Sequence, residues 1–239
     1  MKILKNFVAV DWRAGKDRIY FFFKDDGRYS RFDIGDDATP DEYPVPANYE
    51  NWHDFHKHVK NIRFGFTTKN IRPNIMTPDH DQLWLFYHDQ GNRMVCLYDQ
   101  DEDKVIVELP VYRSLWHDLD PYFDKIVAGT WWSSPLFGLC TYRFLMNDGQ
   151  SLSINLGDPR APVAQRVTVE PINDTTWPGL APYKHRMITA AQNDRTLRDS
   201  YFYIFLTDNE YITYNIPDNK VAYGPTQVDD DSWPGLLRD

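Results

Sequence analysis

A strand, tight turn, strand unit recurs four times along the chain, and no other feature narrows the possible folds as far. The segment Asp17-Arg18-Ile19-Tyr20-Phe21-Phe22-Phe23-Lys24-Asp25-Asp26-Gly27 aligns without a gap on Asp81-Gln82-Leu83-Trp84-Leu85-Phe86-Tyr87-His88-Asp89-Gln90-Gly91. Shorter copies run from Thr141 to Gly149 and from Phe202 to Asn209. The turn pairs Asp26-Gly27, Gln90-Gly91, Asp148-Gly149 and Asp208-Asn209 are residue types that tolerate positive φ in a hairpin. Asp33, Asn155 and Asn215 follow the turn by six residues and Asp99 by eight. A tryptophan then closes each unit, Trp52, Trp116, Trp177 and Trp233, at successive spacings of 64, 61 and 56 residues. A proline precedes each of them by six or eight residues, and the last two copies read Trp-Pro-Gly-Leu.

One more short strand lies upstream of each hairpin, with a small residue at its centre: Val8-Ala9-Val10, Phe64-Gly65-Phe66, Ala128-Gly129-Thr130 and Thr189-Ala190-Ala191. Small residues suit a crowded axis, where the innermost strands of four radial sheets converge while large aromatics fill the spaces between sheets. No apolar 3.6-residue period persists beyond about two turns, so helices are not units of the architecture. The pattern predicts an all-β, four-bladed β-propeller, each blade a four-stranded antiparallel sheet ending in a short helix or turn. The blades are expected at 1–58, 59–123, 124–183 and 184–239. A pair of β-sandwiches, each of two repeats, would not explain a small residue at the same place in every unit.

Composition supports this reading. Of 239 residues 15% are aromatic and 16 are proline, which suits a strand-rich and turn-rich chain. The net charge of −9 argues against nucleic acid or an anionic membrane as partner and favours cationic partners. Neither an apolar run of membrane-spanning length nor a signal-peptide core is evident, so a leaderless, cytoplasmic protein is expected. Cys96 and Cys140 are expected to be buried free thiols rather than nucleophiles.

The whole chain resembles the hemopexin-like repeat family. The resemblance rests on the Ile-Tyr-Phe-Phe type of second strand (Ile19 to Phe22, Phe202 to Phe205), on Arg31-Phe32-Asp33, on Tyr43-Pro44-Val45-Pro46 and on the four closing tryptophans. It is nearest in type to the leaderless albumin-2 proteins of legume seeds and related microbial and fungal proteins, which Val221-Ala222-Tyr223-Gly224-Pro225-Thr226 is similar to. Its cysteines, in units two and three, do not reproduce the disulfide that ties first blade to last in extracellular members. The resemblance implies ions such as Ca²⁺ or Na⁺ in the central channel and a small ligand, polyamine or heme, at its mouth. By position it implies a ring of backbone carbonyls from Val8, Phe64, Ala128 and Thr189, and a second ring from Val10, Phe66, Thr130 and Ala191; hard cations take such oxygen ligands.

Other chemistry is sparse. His53 and His56, within His53-Asp54-Phe55-His56-Lys57-His58, are spaced to share a helix face and offer nitrogens to a metal or heme iron, although a solvated turn explains them as well. Acidic runs occur at Asp36-Asp37, Asp99 to Asp103 and Asp229-Asp230-Asp231. Trp131-Trp132, Tyr112 and Tyr223 would suit the stacking of sugar rings, so a carbohydrate-binding (lectin) or defence protein is the alternative to a small-ligand and ion-binding propeller. No P-loop, GxSxG or HExxH motif is present, and the expectation is a protein that is not an enzyme. A homodimer formed across a propeller face is compatible with all of this.

Overall fold

The computed structural model describes residues 3–68, 81–132, 141–156, 166–194 and 199–238. Sixteen strands form four antiparallel four-stranded sheets, each built from consecutive strands in chain order. The first sheet holds β1 (Phe7–Trp12), β2 (Arg18–Phe23), β3 (Arg28–Asp33) and β4 (Val45–Pro46), and the second β5 (Ile62–Thr68), β6 (Gln82–Asp89), β7 (Asn92–Asp99) and β8 (Lys104–Pro110). The third holds β9 (Ile126–Trp131), β10 (Thr141–Met146), β11 (Gln150–Asn155) and β12 (Arg166–Pro171), and the fourth β13 (Met187–Gln192), β14 (Tyr201–Leu206), β15 (Glu210–Asn215) and β16 (Lys220–Gln227). The first strand of each sheet touches its counterpart on both sides: β1 meets β5, β5 meets β9, β9 meets β13 and β13 meets β1. That cycle closes the ring, and the molecule is a four-bladed β-propeller.

Local chemistry explains the hairpins. Gly27, Gly91 and Gly149 have φ of +78°, +81° and +81°, and the fourth turn reaches the same left-handed region with Asp208 (+68°) and Asn209 (+55°), the non-glycine types that bear it best. The recurrent Asp or Asn ends the third strand of each blade. There it orders the next turn, as where Asp99 accepts from the amides of Asp101 (2.9 Å) and Glu102 (3.0 Å) and Asn215 from that of Asp218 (2.8 Å). Short helical segments follow three of the outer strands; α1 (Tyr49–Trp52) is capped by Asn48, whose side chain accepts from the amides of Glu50 and Asn51.

The core is divided among the four spaces between blades, and each space contains one closing tryptophan. Trp52 lies with Val8, Val10 and Phe22 of the first blade and Leu85 and Tyr98 of the second. Trp116 lies between the second and third blades, Trp177 between the third and fourth, and Trp233 between the fourth and first. Edge-on aromatic contacts recur there, for example Trp52 with Tyr20 (5.0 Å, 86°) and Trp116 with Phe66 (5.0 Å, 81°), a geometry that adds to the burial of the rings.

The small residue at the centre of each inner strand has a more specific cause than a crowded axis. Side chains of a radial sheet point sideways, towards the neighbouring blades. A Cβ on Gly65 would lie 2.8 Å from a methyl of Val10 in the preceding blade, and one on Gly129 would lie 2.9 Å from Phe66 of the preceding blade and 2.6 Å from Phe144. The position is small because the neighbouring inner strand inserts a side chain there. Gly129→Ala is expected to cost about 1–3 kcal/mol through overpacking, whereas Gly35→Ala, with open space around it, should be near neutral. Urea unfolding of the two variants distinguishes this from a general intolerance of alanine.

Candidate functional site

The channel is lined by the free edges of the four inner strands, so the register decides which backbone groups face it. In an antiparallel pair, alternate residues turn both N–H and C=O to the partner and the others turn both away. Lys24 donates to the carbonyl of Asn6, Trp132 to that of Thr141 and Asn193 to that of Tyr201. These bonds fix the bonded pairs of the first, third and fourth blades. The amide of Thr67, by contrast, is turned out of the second blade onto Asp11 Oδ1 (2.9 Å).

Counting along each strand, Val8, Phe64, Ala128 and Thr189, opposite Phe22, Phe86, Leu145 and Phe205, occupy bonded pairs. So do Val10, Phe66, Thr130 and Ala191. Their carbonyls point into their own sheets, and the two carbonyl rings implied by the family resemblance are corrected by one residue. The groups that face the axis belong to Ala9, Gly65, Gly129 and Ala190, and one pleat further on to Asp11, Thr67, Trp131 and Gln192. The alternation of residue size did not carry this information, because size reports the side-chain face and not the direction of the carbonyl.

At the end of the channel where the inner strands finish, a buried polar network replaces the apolar layers. Asp11 and Arg13, with side chains 4% and 3% exposed, form an ion pair at 2.8 Å. Asp11 also accepts through its carbonyl from the Thr67 hydroxyl (2.9 Å). Gln100 accepts from the Arg13 amide (2.7 Å) and donates to Thr67 Oγ1 (2.8 Å), and so ties the first blade to the second. Gln192 and Thr130 join the third and fourth blades (2.6 Å).

The network reaches solvent at Asp194 and Asp17. Asp194 Oδ1 lies 3.7 Å from Arg13 Nη1 and its side chain is 24% exposed; its amide donates to Asp17 Oδ1 (2.9 Å). Burial works against the Arg13 charge, but Asp11, and after it Asp194 and Asp81, hold the guanidinium pKa above its ordinary value. Asp17 is pushed up to about 6, first by burial and then by the negative charges of Asp194 and Asp11, against the amide bond it receives from Asp194. Among the described residues Asp11 and Asp194 both pair with Arg13, and Arg13 Nη2 is buried without a hydrogen-bond partner. Arg13 belongs to no sequence motif, while Asp17 opens the repeated segment that aligns on Asp81; a lone arginine one pleat beyond the acid at the end of an inner strand was the available signal.

The remaining candidates are dispersed. His53 Nε2 lies 2.7 Å from the Tyr49 hydroxyl and its Nδ1 3.3 Å from Asp54, while His56 Nδ1 is turned onto the carbonyl of His53. The two rings are held by separate neighbours, and among the described residues no group of three or more His, Cys, Asp or Glu is placed to hold a metal. Trp131 packs into the space between the second and third blades and Trp132 into that between the third and fourth. Tyr112 and Tyr223 are exposed but belong to different blades. Cys96 is buried and its thiol pKa is raised, chiefly by burial; Cys140 lies outside the described residues. Among the described residues no helix is long and apolar enough to cross a membrane.

No family model matches the sequence, and no curated protein matches it. Among solved structures the chain is similar to a luciferin-regenerating enzyme, with 8% identity over 95% of this chain and 78% of that one, at a TM-score of 0.38. The expectation of a protein that is not an enzyme is corrected on this finding. The aligned structure bears the name of an enzyme, which stands against that expectation, and a likeness of this size assigns no activity to this chain.

Asp17 links the mouth to stability. Its folded pKa lies above the ordinary value, so between about pH 4 and 6 the folded state binds more protons than the unfolded one and stability falls as pH rises. Asp17→Asn keeps the acceptor for Asp194 and removes the charge. After allowance for solvent screening, it is expected to stabilise the protein by up to ~1 kcal/mol at pH 7 and by little at pH 4. Equal effects at the two pH values in denaturant titrations would contradict the assignment.

Proposed function

We propose that the protein binds a small organic cation of the polyamine class at the acidic mouth formed by Asp17, Asp194 and Asp11, with a hard cation such as Ca²⁺ or Na⁺ on the channel axis beneath it. The observation that carries this reading is the gathering of Asp11, Asp17 and Asp194 at one end of the channel, where Asp194 Oδ1 lies 3.7 Å from Arg13 and the Asp194 amide donates to Asp17; burial, and after it the charges of Asp194 and Asp11, raises the Asp17 pKa. A bound ammonium relieves the repulsion among these carboxylates, and the surrounding low-dielectric walls strengthen its attraction to them. Asp194 and Asp17 are the groups within reach of solvent, while Asp11 and Arg13 anchor them to the inner strand.

On the axis, the carbonyls of Ala9, Gly65, Gly129 and Ala190 supply the oxygen ligands that such ions take. The hemopexin-like resemblance in the sequence fits this arrangement, as does the overall charge of −9. The glycan reading draws less support, because Trp131 and Trp132 pack between blades.

Cation binding favours ionised Asp17. Spermine affinity measured by calorimetry is therefore expected to rise about tenfold between pH 5 and pH 8, which corresponds to roughly 1.4 kcal/mol, with release of a proton near pH 6. Asp17→Asn should remove that pH dependence, and an absence of binding heat at pH 8 would overturn the reading. Calcium is expected to raise the melting temperature with the logarithm of its free concentration above the dissociation constant; an unchanged melting temperature would remove the axial ion.

A further inference from the structure

The four closing tryptophans are not covered alike. In the first blade Tyr29 stands edge-on to Trp52 (5.6 Å, 90°) and is itself covered by Tyr43 (5.5 Å), over whose ring the Arg31 guanidinium lies at 5.3 Å. In the third blade Arg143 lies 3.9 Å from the ring centre of Trp177 and 4.2 Å from that of Trp132. In the seam between the second and third blades Arg93 lies 6.0 Å from the ring centre of Phe123, so three of the seams contain a guanidinium of the chain's own near an aromatic face.

The register shows what differs in the fourth blade. Tyr29 pairs with Phe22 and Val45, and Tyr211 pairs with Phe205 and Thr226, so the two tyrosines are equivalent; Tyr211 stands edge-on to Trp233 (5.4 Å, 84°) as Tyr29 does to Trp52. Counting back two residues on the outer strand, Gly224 occupies the place of Tyr43. By the same register Thr213, opposite Tyr203, occupies the place of Arg31, opposite Tyr20.

Among the described residues neither a covering ring nor a guanidinium stands at these two positions, and a cavity of about 180 Å³ opens, lined among others by Phe32, Tyr203, Tyr211, Trp233 and Asp37. Gly224 offers no side chain to cover Tyr211: its φ is +101°, and a Cβ there would lie 2.7 Å from the carbonyl oxygen of Tyr211. None of the lining residues is basic.

We propose that this pocket, between the fourth and first blades, is a second binding site, and that it takes a small organic cation with a guanidinium or methylated ammonium head. The ligand's head group lies against the rings of Tyr203, Tyr211 and Trp233, as Arg143 lies against those of Trp177 and Trp132. Aromatic faces attract such cations through the ring quadrupole, and Asp37, exposed at the rim, supplies the counter-charge. The Tyr211 hydroxyl pKa is raised, first by burial and then by Asp229 and Asp37, in keeping with a negative surrounding. The site lies apart from Asp17 and Asp194 and does not depend on the mouth.

The test is titration of the ¹⁵N-labelled protein with methylguanidinium and with tetramethylammonium, following the Trp233 indole N–H resonance. A saturable shift of that resonance is expected, with the resonances of Trp52 and Trp116 unmoved. Asp37→Asn, tolerable at the left-handed backbone of Asp37 (φ +51°), should weaken binding by about fivefold, a change of roughly 1 kcal/mol. Tyr211→Phe, which keeps the aromatic face, should bind within about twofold of the parent, and Tyr211→Leu should lose about tenfold. Asp17→Asn should leave the shift unchanged. No shift of Trp233, equal affinity in Asp37→Asn and the parent, or loss of the shift in Asp17→Asn would each overturn the proposal.

Discussion

Everything in this ring depends on the contact between a buried indole and the aromatic edges of two adjacent blades. No blade is covered on both faces by its own residues, so each sheet is stable only when another lies against it, as in other repeat architectures. The closing tryptophan makes that pairing specific. It arrives from the end of one unit and sits in the layer shared with the next, where it meets the second strand of its own blade at Tyr20, Trp84, Arg143 or Tyr203. The indole nitrogens of Trp52, Trp116 and Trp177 are buried without a hydrogen-bond partner. The contact is therefore one of dispersion and ring electrostatics, and tolerates different neighbours in each seam.

That tolerance explains why the architecture could be read from the sequence and the site could not. The positive-φ turn pairs, the tryptophan spacing and the central small residue are each required by backbone geometry or close packing, and such requirements leave the same mark in every unit. Asp17 recurs as Asp81 in the second unit, but Asp11 is matched by Thr67, Trp131 and Gln192, so comparison between units does not point to the ion pair it forms with Arg13. The axial carbonyls lay one residue away from the expected positions because the pleat, not the side chain, decides which carbonyl faces the channel. Gly224 was read in the sequence as part of a family-like segment; only the pairing of Tyr211 with Thr226 shows that it stands in the place of Tyr43.

The polar mouth also has a structural share. Gln100 and Thr67 join the first blade to the second, and the Gln192 bond to Thr130 joins the third to the fourth. Buried polar groups that are fully engaged in this way specify one arrangement more sharply than apolar packing alone, because a slipped blade would leave each of them without its partner. The binding proposed at Asp17 and Asp194 would therefore act next to the bonds that set the relative position of the blades.

The first and last blades are joined by contacts of a different kind. The Leu4 amide donates to Asn209 (2.7 Å), the Thr39 amide to the carbonyl of Pro234 (2.9 Å), and Arg238 reaches the carbonyls of Thr39 and Pro40. No strand is exchanged between these blades, and the chain does not run through their seam. The ring is in this respect a clasped bracelet: a pull on the two ends of the described chain loads the clasp first and the three continuous seams afterwards. Parting at the clasp leaves three packed seams intact, so the first mechanical event is the loss of these hydrogen bonds together with the apolar layer around Trp233.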